Sequence, residues 1–194
     1  MPAGRPRAFD EKEVLERAMD LFWLRGYQGT ATAELLERMG IGRQSMYDTF
    51  GSKRDLFLRA ILHYRDTRLQ DALSMLSRPQ SPLQNVADVL RYFKRLAQDK
   101  EAKGCFVANS LVEINSHDEE TVALLKETLG ALEEGILKAL RCAEAEGELP
   151  PGKSPRALSR ALTNAIIGMA VTGKLGLSKA SVSDIYAGTL SMLE

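Results

Sequence analysis

The stretch Gly26-Tyr27-Gln28-Gly29-Thr30, resumed at Gly40-Ile41-Gly42-Arg43-Gln44-Ser45-Met46-Tyr47-Asp48-Thr49-Phe50-Gly51-Ser52-Lys53, decides how the chain is read. Glycines at 26, 40 and 51 cut it into short segments whose apolar residues recur at helical spacing. Thr30 or Thr32 can cap a short helix carrying Leu35, Leu36 and Met39. Gly40 ends that helix, because glycine alone takes the left-handed turn conformation cheaply. A third helix is expected over roughly 43–50. Gly51 closes it, and Ser52 with Asp55 forms a capping box that opens a fourth.

The same signals extend outward. Asp10 is the expected N-cap of the first helix, with Glu13 completing a capping box and Phe9 stapled onto Val14. Leu15, Met19, Phe22 and Trp23 make its inner stripe. The fourth helix keeps an apolar face through Leu56, Ile61, Tyr64, Leu69, Leu73 and Leu76 until Pro79. Ser81-Pro82 opens a fifth helix, and a sixth is expected from Cys105 to about Asn115. Ser116 and Glu119 read as the capping box of a long seventh, Ser154-Pro155 opens an eighth, and Ser178 caps a ninth. No segment alternates as a strand would, so the fold class is all-α.

Composition narrows the function. The 194 residues hold 26 Lys plus Arg against 26 Asp plus Glu, which argues against a histone-like binder driven by bulk charge. A hydrophobic content of 44% can fill a core. No run reaches the ~18 apolar residues of a membrane span, and the N-terminus lacks a signal-peptide pattern, so a cytoplasmic location without membrane partners is expected. Cys105 and Cys142 lie too far apart for a zinc knuckle or a C-x-x-C motif. His63 and His117 belong to no metal-ligand spacing, and neither a phosphate-binding loop nor a nucleophile elbow occurs. No catalytic residue, metal or cofactor is expected, and His63 reads as a surface or linker residue. Charge is nonetheless uneven: residues 1–65 carry eleven bases and nine acids, and between Arg38 and Arg59 five bases face two acids.

Two short helices joined by Gly40-Ile41-Gly42 fit a helix-turn-helix, and by spacing alone they also fit an αα-hairpin inside any bundle. The residues resemble the N-terminal DNA-binding domain of the TetR/AcrR family of transcriptional regulators. A glycine-aromatic pair at Gly26-Tyr27, Thr30 before helix two, a Gly turn, Tyr47-x-x-Phe50 and Lys53 all match that pattern. Leu36 and Met39 stand where the family often has Ala, and Thr49 where His or an aromatic is common. The resemblance implies residues 1–52 as a helix-turn-helix domain with an N-terminal arm, and 53–194 as an effector-binding and dimerisation domain. It further implies a homodimer on palindromic double-stranded operator DNA, and a repressor released by a small-molecule effector as helix four shifts.

On helix three, Arg43 can fork onto guanine O6/N7 and Gln44 can pair with adenine N6/N7. Ser45 can donate to a base edge or phosphate. By resemblance Tyr47, Thr49 and Lys53 join the contact set, and Thr30 with the amides beside it can hold a phosphate. Tyr47 can alternatively pack in the domain core. Arg5 and Arg7 of the arm either enter a minor groove or stay solvated.

Helix eight carries small residues at Ala161, Ala165, Gly168 and Thr172, beside Leu158, Leu162, Ile166 and Met169. With Val182, Ile185, Tyr186, Leu190 and Leu193 of helix nine these resemble the family's four-helix dimer interface; an intramolecular stripe would look the same. Candidate effector-pocket residues are Tyr64, Tyr92, Phe93, Phe106, Asn109, Leu125 and Leu132, each equally explicable as core. Cys105, Asn109 and Glu113 share a polar face of helix six. Were it turned inward, Glu113 would favour a cationic or hydrogen-bond-donating effector. Cys105 reads either as a thiol sensitive to oxidants or electrophiles, as in some relatives with a Gly-Cys pair, or as a small buried hydrophobe. Cys142 is expected to be inert.

Overall fold

The structure, a computed structural model, describes residues 9–114 and 118–194, and every described regular element is helical. Helix α1 (Glu11–Arg25) starts on Asp10, whose Oδ1 accepts from the amides of Lys12 and Glu13 at 2.8 and 3.2 Å. Glu13 itself pairs with Arg17 one turn on. Helix α2 (Thr32–Met39) has Ala31 at its N-cap and no side-chain cap. Neither threonine caps it: the Thr30 hydroxyl donates instead to the Gly26 carbonyl at 2.6 Å. Gly40 takes the left-handed conformation (φ 70°, ψ 29°), and its amide closes the end of α2. Helix α3 spans Arg43–Phe50.

Helix α4 is a continuous rod in three segments: Lys53–Tyr64, a π-helical turn at Arg65–Leu69, and Gln70–Met75. Ser52 and Asp55 form the reciprocal capping box at its start. Buried Tyr64 and Leu69 are five residues apart, a step that at 3.6 residues per turn would carry Leu69 off the core face. The wider i→i+5 turn brings it back, and Thr67 marks the turn by donating to the His63 carbonyl at 2.6 Å.

Helix α5 (Pro82–Ala97) is capped by Ser81, α8 (Pro155–Lys174) by Ser154 and α9 (Lys179–Leu190) by Ser178. Helix α6 is shorter than expected, Phe106–Glu113. Helix α7 (Glu119–Ala145) starts on Asp118, whose carboxylate accepts from the Thr121 amide. Ser116, the expected cap, and His117 lie outside the described residues.

Buried apolar residues form two clusters whose boundary crosses α4 at the π turn. The first joins α1–α3 and the first segment of α4, and it also takes Phe106 and Val107 from α6 and Leu125 from α7. Its aromatic heart sets Phe22 edge-on to Phe57 at 5.1 Å and Phe57 edge-on to Phe106 at 5.9 Å. Each such pair contributes about 0.5–1.5 kcal/mol beyond area burial, so α6 is locked to the N-terminal helices by packing. The second cluster is made by the rest of α4 with α5, α7, α8 and α9.

Candidate nucleic-acid interface and ligand cavity

Helix α3 is divided by its own packing. Met46, Thr49 and Phe50 turn inward, while Arg43, Gln44, Tyr47 and Asp48 are exposed. Tyr47 is 44% exposed, so its ring is not a core element. Arg43 makes no ion pair among the described residues, and Gln44 is oriented by an amide hydrogen bond to Asp48 at 2.7 Å. Ser45 is half-buried. Two expected contacts are withdrawn from the surface: Thr49 is 8% exposed against the core, and Thr30 is 1% exposed with its hydroxyl bonded internally. Lys53 lies with Nζ 4.5 Å from the centroid of the Tyr27 ring, and burial there lowers its ammonium pKa. Arg5 and Arg7 lie outside the described residues.

A cavity of about 230 Å³ opens between α1, α4, α5, α6, α7 and α8. Of the expected lining residues it gathers Tyr64, Tyr92, Phe93, Cys105 and Leu132. Four others are elsewhere. Phe106 and Leu125 are consumed by the first core cluster, and Asn109 donates its amide to the Lys103 carbonyl at 3.0 Å. Glu113 turns away towards the α1–α2 connection, where it accepts from the Gln28 amide at 3.4 Å, so it gives the cavity no preference for a cation. The sequence reading missed Trp23, Arg68, Ile167 and Ala170 as lining. Trp23 looked like ordinary α1 stripe, yet its indole N–H donates to the Gly104 carbonyl at 3.2 Å beside the cavity. His63 is half-buried and bonded to Glu16 at 2.6 Å.

Burial pushes the Cys105 thiol pKa up, against weaker opposing hydrogen bonds from backbone amides and Tyr64. The same desolvation, with the nearby thiol, raises the Tyr64 phenol. Both groups are protonated near neutral pH. Cys142, expected to be inert, is the exposed thiol.

Along α8 the apolar and small stripes separate. Leu162, Ile166 and Met169 are buried in the chain's own core, as is Val182 of α9. Leu162 and Met169 therefore drop out as interface residues: their periodicity was intramolecular. Leu158, Tyr186 and Leu190 pack partly against that core, and Lys94 caps the Tyr186 ring at 4.7 Å. Ala161 and Gly168 are exposed, Ala165 and Thr172 half-buried, and Val171, Leu175 and Ile185 add exposed apolar surface.

Comparison with known proteins decides what carries this layout. The family description "Bacterial regulatory proteins, tetR family" matches residues 14–60, and "Tetracyclin repressor-like, C-terminal domain" matches 82–186. The chain belongs to the TetR family. Among its TetR-like relatives is the transcriptional regulator YezE of Bacillus subtilis (strain 168), 33% identical over 98% of this chain and 100% of that protein. The transcriptional repressor ComR of Escherichia coli (strain K12) is 30% identical over 97% of this chain and 91% of its own length. A solved structure of a cysteine mutant of the TetR-family regulator CifR, complexed with 26-bp operator DNA, superposes with a TM-score of 0.88. It is 29% identical and covers 96% of this chain and 98% of that one.

In this TetR-family chain, polar contacts tie the N-terminal helices and the start of α4 to the elements around the cavity. Arg54, at the start of α4, donates to Asp118 at 2.6 Å and to Glu120 at 2.8 Å. Those hydrogen bonds raise the guanidinium pKa and, with lesser help from Thr121, hold the Asp118 carboxyl down at about 2. Lys103 pairs with Asp20 at 2.7 Å, Trp23 bonds Gly104, and Glu113 bonds Gln28. No helix among the described residues is long and apolar enough to cross a membrane.

Proposed function

We propose that the chain is a homodimeric cytoplasmic repressor that reads a palindromic operator with α3 and leaves it when a small molecule fills the cavity. The observation that carries this is the exposure of Arg43, Gln44 and Tyr47 on a helix whose opposite face is fixed in the core. Residues 1–52 form the reading unit and 53–194 the sensing and dimerising unit. Arg43 and Gln44 supply base contacts, while Ser45, Tyr47, Lys53 and the amides at the start of α2 hold phosphates. A short helix reads few base pairs, so two copies related by a dyad are required. Ala161, Ala165, Gly168, Thr172 and Ile185 face the partner, with Leu158, Tyr186 and Leu190 at the rim.

Release follows from linkage. Trp23 and the α6 contacts put the cavity wall and the reading unit on shared side chains. An effector that favours one arrangement of that wall shifts α1 and α4 with it, and DNA affinity falls by the effector's differential affinity for the two states. Protonated Cys105 favours reversible binding over modification of the thiol. Selection from random double-stranded DNA, followed by footprinting, tests this reading. A palindromic site with one half-site per subunit supports it, and failure to enrich any site, or enrichment of an asymmetric one, overturns it.

A further inference from the structure

The cavity is walled mainly by rings and aliphatic chains, and among the described residues the cations that reach it are already paired. Two cations among the described residues line it, Arg68 and Lys103. Arg68 pairs with Glu16, which also bonds His63, and Lys103 Nζ pairs with Asp20 at 2.7 Å. Glu16 and Asp20 stand one turn apart on α1, so both counter-ions belong to the helix-turn-helix unit. The remaining charged lining groups, Asp99 and Glu101, are exposed on the α5–α6 connection, and Asp99 accepts from the Glu101 amide at 2.9 Å. Thr128 is committed to the Leu124 carbonyl at 2.7 Å.

Resting on the reading of this cavity as the effector site, we infer that the effector is a small, uncharged, largely apolar molecule, and that Glu16 and Asp20 set this preference by neutralising Arg68 and Lys103. A carboxylate ligand would meet no uncommitted cation among the described lining residues and would face the carboxylates of Asp99 and Glu101. An ammonium or amidinium ligand would lose hydration against aromatic walls without a carboxylate at depth. Burying either charge unpaired is unfavourable, which decides against both. At about 230 Å³ the space lies below that of drug-sized sites, so the ligand is the size of a single substituted ring.

Trp23 is the chain's one tryptophan and lines the cavity, so its fluorescence reports occupancy directly. The probes are benzamide, benzoate and benzamidinium, which share a planar shape and differ in charge. Benzamide is expected to quench Trp23, with the two ions at least about tenfold weaker. Asp20→Asn frees Lys103, and benzoate should then gain at least about tenfold relative to benzamide. Glu16→Gln repeats the test through Arg68 and stands in if the first variant does not fold. Equal or tighter binding of either ion by the parent, quenching by none of the three, or an unchanged benzoate-to-benzamide ratio in a folded variant overturns the inference. Operator binding, followed by fluorescence anisotropy of labelled DNA, fails separately. A protein that prefers benzamide yet keeps its operator at saturation refutes release through this cavity, and one that never held an operator refutes the regulator reading. Neither result touches the charge preference.

Discussion

The Glu113 carboxylate stands where a side chain on Gly26 would stand: a Cβ placed there falls on its oxygens. Gly26 has φ 77° and ψ 169°, a region essentially reserved for glycine. The end of α6 and the α1–α2 connection are thus fitted to each other by a missing side chain. Gly26→Ala should lower stability by about 1–3 kcal/mol from backbone strain, and further from the clash. Denaturant unfolding of Gly26→Ala, Glu113→Ala and the double variant separates the two. Loss of Glu113 relieves the clash and leaves the strain, so the double variant should be more stable than the sum of the singles by more than about 0.5 kcal/mol. Strict additivity would mean that Glu113 does not fill that space in solution.

Arg43 and Tyr47 should separate by what they contact. Arg43→Ala is expected to weaken operator binding by about 1–3 kcal/mol and to relax preference at one base position per half-site. Tyr47→Phe should weaken binding evenly across sequences, because a phosphate contact carries no base information. Both side chains are exposed, so thermal midpoints should stay within the equivalent of about 0.5 kcal/mol of the parent. Anisotropy titrations against the selected site and its single-base variants measure both effects. Unchanged binding by Arg43→Ala removes α3 as the reader.

Local backbone chemistry made the helix starts legible in the sequence. Ser52 with Asp55, Ser81-Pro82, Ser154-Pro155 and Ser178 all cap as their residue types require. What stayed hidden depends on which neighbour an apolar face meets. Leu162 and Met169 share a helical period with Gly168, and nothing in that period says whether the partner is the same chain or a second copy. Trp23 and Phe106 are both aromatic and both near the cavity, yet only Trp23 borders the void, because Phe106 is enclosed by Phe57 and Tyr64. The π turn was readable in principle from the five-residue step between Tyr64 and Leu69, which the long apolar stripe of α4 concealed.

The Arg54–Asp118 pair makes the junction between α4 and α7 dependent on acid. Asp118 has a depressed folded pKa, so its contribution is present above the ordinary aspartate value of about 3.9 and is lost as pH falls through about 2. In Arg54→Gln the Asp118 carboxyl, followed by NMR, should rise towards that ordinary value, with Thr121 still holding it partly down. The stability difference between parent and variant should be constant near neutral pH and shrink below about pH 4. Titration of Asp118 near 2 in the variant would show that another group holds it.

Thiol reactivity should run opposite to position in the cavity. Cys142 is exposed and Cys105 is half-buried, where burial pushes its thiol pKa up. Iodoacetamide near neutral pH should therefore alkylate Cys142 first, as read by peptide mass spectrometry over time. Cys105→Ser should respond to oxidants as the parent does. Faster modification of Cys105, or loss of an oxidant response in Cys105→Ser, would restore the thiol as a sensor.

Gly168 tests the dimer cleanly because its own chain does not need it to be glycine. It lies in the middle of α8, is exposed, and a Cβ there meets nothing within 4 Å. Gly168→Leu should leave the fold intact or stabilise it slightly, since glycine is about 1 kcal/mol worse than a good helix former in a helix interior. If two copies of α8 approach closely along Ala161, Ala165, Gly168 and Thr172, the same leucine has no room at the dyad. Sedimentation velocity at micromolar concentration should then show the parent as a dimer and the variant shifted to monomer, with far-UV helicity unchanged. Operator affinity should fall with it, because one subunit reads only one half-site. A variant that stays dimeric and binds normally would place the subunit contact elsewhere on the surface.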